Sequence, residues 1–173
     1  MNPVAKRSDS RRVRSLTPLE AAVAVAVAGS VLATALPAFV RNLHASKLVE
    51  PVDGLNRIAT RATALAAGRP VASAYPESVD LTPAQVPAGI RVTDPPGTWD
   101  HPTWRLLDFG FTVPHSFSFG FESGGSPETA SFRARALGDL DGDGSTSELA
   151  ISGEVRVGGE PTVSPMDMYR EIE

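Results

Sequence analysis

The chain has 173 residues, enough for one globular core plus an extended appendage, with a formal charge of −4 and no cysteine. Lys6, Arg7, Arg11, Arg12 and Arg14 face only Asp9 in the first fourteen residues, so 11 basic against 19 acidic residues remain beyond them, a net charge of −8. An acidic body lacks the clustered positive face that displaces counterions from phosphates, which excludes nucleic acid as the main partner; the missing cysteines exclude disulfides, thiol catalysis and zinc-thiolate sites.

Four stretches follow one another in chain order: a polar, basic leader over residues 1–15, an apolar run over 16–40, an amphipathic stretch over 41–67, and a Gly/Pro/Thr-rich remainder over 68–173. The twenty residues from Ala21 to Val40 carry no charge. As a helix they span roughly 30 Å, the hydrocarbon thickness of a bilayer. The run is rich in Ala and Val, and Gly29, Ser30, Ala33 and Ala35 keep its surface slim, so close helix-to-helix packing matters as much as lipid contact. Basic residues before the run predict a cytoplasmic N-terminus, with everything after Arg41 on the far side of the membrane.

Val49, Val52, Leu55, Ile58, Ala62 and Leu65 recur at three- or four-residue spacing, one apolar helical face, with Arg57 and Arg61 between them. Pro37 and Pro51 each remove a backbone donor, so the helix is expected to bend or loosen there; if continuous from Leu16 to Ala67 it reaches nearly 80 Å by the usual rise, roughly 1.5 Å per residue. Residues 68–99 are dense in Pro and Gly and read as a loop wrapping over the domain. Beyond them the chain alternates. Phe117, Phe119 and Phe121 share one strand face; after a turn over 123–128 come Phe132, Ala134 and Ala136; Leu149, Ile151, Val155 and Val157 form a third. The expected fold is α+β: a long N-terminal helix whose second half packs on an antiparallel β-sheet, because the helical stripe and the aromatic sheet face each need a cover.

Two motifs carry chemistry. Before the apolar run stand Ser15, Leu16, Thr17, Pro18, Leu19 and Glu20, and this stretch resembles the class III signal of type IV pilins and type II secretion pseudopilins. In those families a basic leader ends in a small residue, followed by an apolar residue, Thr, two more apolar residues and Glu, with a proline about seventeen residues beyond. Pro37 holds that last place. The resemblance implies a pilin-like fold, cleavage by a prepilin peptidase between Ser15 and Leu16, and N-methylation of Leu16. It implies a single-pass inner-membrane protein with a periplasmic C-terminal domain, which assembles with other pilin subunits, as a minor pilin or as a pseudopilin, into a filament. Glu20 then has a reason to stand in a membrane helix, where an unpaired carboxylate costs about 2.5–3.5 kcal/mol: it neutralises the N-terminal amine among the packed helices. The competing readings are a secretory signal cut after Ala33-Thr34-Ala35, a twin-arginine signal at Arg11-Arg12 that lacks the apolar residues expected soon after the pair, and a plain membrane anchor.

The second motif is Asp139-Leu140-Asp141-Gly142-Asp143-Gly144. Alternate carboxylates followed by Gly fold around a hard cation, with oxygen ligands at about 2.3–2.6 Å, and a structural calcium is the cofactor this pattern suggests. Ser145 offers a backbone carbonyl and Glu148 the nearest further acid, while the twelfth position of an EF-hand loop is Ala150. A calcium in the globular domain is also a pseudopilin feature, so the resemblance agrees. The competing reading is a tight Asp/Gly turn between strands ending at Leu137 and beginning at Glu148; a secreted or anchored calcium-binding β domain without a filament role is the alternative of another class. His44, His101 and His115 are scattered and read as surface or interface residues. Trp99, Trp104, Phe109 and Phe111 read as core. No hydrolase, P-loop or dinucleotide fingerprint appears, and no enzymatic activity is expected.

Overall fold

A computed structural model describes residues 17–170, with side chains for all of these except 37–47 and 170. Chain contacts divide it into two units, residues 1–42 and 43–173. The fold is α+β, with an apolar N-terminal helix and an antiparallel sheet.

Helix α1 spans Pro18–Ala67, 50 residues. Its backbone stays helical through Pro37 and Pro51, so the loosening expected there is no interruption. Each proline removes a single donor while the neighbouring bonds persist, and the Pro51 ring is fully buried. In the first unit, Pro18–Leu36 has a mean hydropathy of 2.0 and none of it is buried. It is long and apolar enough to cross a membrane.

The second unit is a six-stranded antiparallel sheet with one face under the last turns of α1. The strands are β1 (Val79–Thr82), β2 (Phe117–Gly125), β3 (Thr129–Gly138), β4 (Ser147–Arg156), β5 (Thr162–Val163) and β6 (Asp167–Arg170), in the order β1-β2-β3-β4-β5, with β6 also pairing β4. The register is set by alternation. Phe119 lies opposite Ala136, and Ala136 opposite Leu149, so one face carries an unbroken apolar row across three strands. Leu55, Ile58, Ala59 and Ala62 of α1 close over that row together with Phe117, Phe121, Phe132, Ala134 and Ile151.

Two stripe residues depart from expectation. Val49 is 66 % exposed, and Leu48 packs partly against the core in its place. Val157 is 67 % exposed since β4 ends at Arg156; Gly153 occupies the intervening inward position, and the Phe132 ring lies over it. The turns are also tighter than expected: β2 runs on to Gly125, β3 to Gly138, and β4 starts at Ser147.

The expected loop over 68–99 holds a short 3₁₀ turn, Val71–Ser73, and the edge strand β1. Val79-Asp80-Leu81-Thr82 is too brief an alternation to stand out among prolines, and pairing with Phe119 and Phe121 supplies what local sequence lacks. A small helix α2, Pro102–Leu106, starts with His101 Nδ1 accepting from the Thr103 N–H at 3.2 Å. At the hairpin end Ala66, Ala74, Ala130 and Val155 form a satellite cluster. Tyr75 sets its ring edge-on to Phe132 there, and burial together with the Glu154 carboxylate raises its phenol above the ordinary value.

Candidate functional site

The start of α1 is a capping box. The Thr17 N–H and hydroxyl both donate to Glu20 Oε2, at 2.8 and 2.9 Å, and the Glu20 N–H donates back to Thr17 Oγ1 at 3.3 Å. Pro18 is the first helical residue, where an absent N–H costs nothing. Glu20 therefore has a local role that the sequence reading missed, although Thr-x-x-Glu before an apolar run is its signature. Glu20 Oε1 takes no bond among the described residues. Ser15 and Leu16 lie outside the described residues; Pro37 is described only as helical backbone. Further along, the Ser30 and Thr34 hydroxyls donate to carbonyls of their own helix, at 2.9 Å to Ala26 and 3.0 Å to Val31, so the apolar segment presents no free hydroxyl donor there.

The acidic loop joins β3 to β4. Asp139 is buried, and its carboxylate accepts from the Gly142 N–H at 2.7 Å and the Gly144 N–H at 3.1 Å. Asp141 accepts from the Asp143 N–H at 3.2 Å, and Asp143 from the Ser145 N–H at 2.7 Å. Gly142 and Gly144 take φ of 81° and 93°, which the chain needs to curl its amides inward. One carboxylate oxygen of each of Asp139, Asp141 and Asp143 falls within 4.8 Å of the others, close enough to share a cation. Glu148 stands outside that group, with its carboxylate paired to Arg133 at 3.4 Å, and Ser145 enters the loop network through its N–H. The Gly89 N–H donates to the Asp139 carbonyl at 2.8 Å, tying the loop to the preceding crossover.

His115 is a correction. It is fully buried, with Nε2 2.8 Å from Asp94 Oδ2 and Nδ1 2.9 Å from the Phe117 carbonyl; Trp99 Nε1–H donates to the same Asp94 oxygen at 2.7 Å. Alternation could not place it, because its partner is twenty-one residues away in an irregular segment. Trp99, Trp104, Phe109 and Phe111 pack edge-on and tilted against one another with centroid separations from 5.4 to 5.6 Å, as core, and Trp99 and Phe111 border the His115 ring at 6.1 and 4.8 Å. His101 is exposed, and the His44 side chain is outside the description.

Glu50 was invisible to sequence reasoning, since a lone Glu on a helix carries no signal. Its Oε1 accepts from the Ser116 N–H at 2.6 Å and the Phe117 N–H at 3.0 Å, and its Oε2 meets Arg91 at 3.2 Å. Arg91 also donates to the Pro114 carbonyl at 2.6 Å. This latch fixes α1 to the start of β2. No known protein family, curated protein or solved structure matches the chain.

Proposed function

We propose that the protein is a type IV pilin-like filament subunit, a minor pilin, held in the inner membrane by the start of α1 and assembled through packing of that helix. The observation that carries this reading is a carboxylate in the first turn of a segment whose apolar side chains are all exposed. Leu19, Val25 and Val31 have no cover among the described residues, and lipid or other copies would supply it. Glu20 Oε2 is occupied by Thr17, and the charge with its Oε1, which takes no bond among the described residues, is available to the methylated amine of a neighbouring Leu16.

The Glu20→Gln variant separates capping from assembly, since Gln at this position also caps a helix. In full-length protein, the variant is expected to fractionate with membranes as the parent does and to be missing from sheared surface filaments. The variant present in those filaments at the parent's level would overturn the reading. Intact mass of the membrane form is expected to place the N-terminus at Leu16; a start at Leu36 would instead mark a secretory signal cut after Ala35.

The acidic loop supports a second, compatible proposal, a structural calcium held by Asp139, Asp141 and Asp143. Three carboxylates within 4.8 Å repel one another, and a divalent cation relieves that repulsion. Ligand bound only by the native state raises stability by about 2.7 kcal/mol at a hundred times its dissociation constant. Millimolar calcium is expected to raise the melting temperature of the full chain in detergent, and Asp141→Asn with Asp143→Asn to abolish the rise. An unchanged melting temperature in the parent protein sinks the calcium proposal.

A further inference from the structure

The outward flank of α1 in the second unit carries two adjoining grooves of about 370 and 450 Å³, both lined by Arg57 and Asp108. Arg61 closes one of them and Arg105 the other. Arg61 is paired to Asp108, and Arg105 to Asp100 at 3.2 Å. Arg57 has no carboxylate partner among the described residues; its guanidinium stands 5.3 Å above the Phe109 ring. Arg91, Arg133, Arg135 and Arg156 are each paired with a glutamate. Arg69, also without a carboxylate partner among the described residues, lines a different hollow beyond the end of α1. The Arg57 groove is therefore where an acidic domain concentrates cationic side chains, one of them uncommitted and set against an aromatic ring.

The acidic loop is the natural complement. Asp141 and Asp143 are exposed, each gives one oxygen to a loop N–H, and neither meets a cation among the described residues. The loop lies at the opposite end of the sheet from the satellite cluster: Asp139 follows Gly138, the partner of Phe117, whose N–H is held by Glu50. The groove sits further along α1, at Asn56 to Arg61. Loop and groove are thus different surfaces of one domain, and a contact between them is heterologous. Each copy that docks its loop leaves its own groove open for the next, which propagates as a chain unless the rotation closes a ring.

We propose that the Arg57–Arg61–Arg105 groove receives the calcium-free Asp141–Asp143 loop of a second copy, a domain-to-domain contact that accompanies helix packing and that calcium held by the same carboxylates opposes. The inference rests on the filament reading of α1. Facing charges of opposite sign set the register between copies and suppress pairing of like surfaces, a steering role that exposed pairs fill better than they add affinity.

The absence of native cysteine makes the test direct. Two full-length versions are co-expressed in membranes, one with Thr60→Cys in the groove and one with Ser145→Cys in the loop, and oxidised with diamide. EGTA is present throughout to keep the loop carboxylates free of calcium. A covalent heterodimer is expected. Arg57→Glu with Arg61→Glu is expected to lower its yield at least tenfold, and Asp141→Lys with Asp143→Lys to restore it. No heterodimer in the parent background, or a yield indifferent to charge reversal, overturns the contact. Ala22→Cys, oxidised in parallel, reports helix association independently. Its cross-link without the Thr60–Ser145 link overturns this contact and leaves the filament reading standing; the Thr60–Ser145 link without it supports the contact and removes the helix-packing reading.

Discussion

Replacing Phe119 by alanine is expected to cost about 3–5 kcal/mol of unfolding free energy, the range for emptying a large aromatic from a closed core. The ring is wholly buried, edge-on to Phe109 at 5.0 Å and stacked on Phe111 at 5.4 Å. The backbone of Gly54 lies against it: a Cβ there would lie 2.5 Å from Phe119 Cε1, inside any real contact. Gly54→Ala therefore sets two effects against each other. In an exposed helix interior the change adds about 1 kcal/mol through propensity, whereas forcing a methyl group into a packed core costs roughly 1–3 kcal/mol. Because Phe109 and Phe111 block retreat of the ring, overpacking wins, and the variant is expected to unfold at lower denaturant. Combining both substitutions tests the cause. With Phe119 gone, Gly54→Ala is expected to become neutral or stabilising, a coupling that chemical denaturation of all four proteins measures. Additive losses would show that Gly54 matters for another reason.

Period carried much of this fold into the sequence. Phe117, Phe119 and Phe121 announce a buried strand face at spacing two, and Leu55, Ile58 and Ala62 a helical stripe at three and four, so cover and sheet were legible together. What stayed hidden depends on partners far along the chain. β1 exists because β2 offers it an edge, and His115 is internal because Asp94 waits in an irregular segment. For the candidate sites, composition disclosed the acidic loop, since Asp and Gly at alternate positions declare their conformation locally, and Asp139 does turn inward onto loop amides. Glu148 was named for its closeness in sequence, yet its place on β4 puts it across from Leu137 and beside Arg133, where it serves the sheet surface. Glu20 was legible as an anomaly, and its Thr17 partner gives that anomaly a second, purely helical cause.

The Glu50 latch gives the other large effect. Its carboxylate accepts from two successive backbone donors at the start of β2, the N–H groups of Ser116 and Phe117. Truncation to alanine leaves both N–H groups without that partner at a largely buried position, the Glu50 side chain being 18 % exposed. An unsatisfied buried donor costs about 1–3 kcal/mol, so Glu50→Ala is expected to lose about 2–4 kcal/mol. The Arg91 ion pair contributes little of this, because Arg91 is 63 % exposed and such pairs are worth about 0–1 kcal/mol. Glu50→Gln makes the distinction. It keeps an oxygen for Ser116 and Phe117 while removing the charge, and is expected to lose no more than about 1 kcal/mol, in line with the exposed pair alone. Amide hydrogen exchange localises the effect: Ser116 and Phe117 are expected to lose protection in the alanine variant and retain it in the glutamine variant. Equal losses in both variants would make the charge, and not the pair of accepted hydrogen bonds, the tie between α1 and β2.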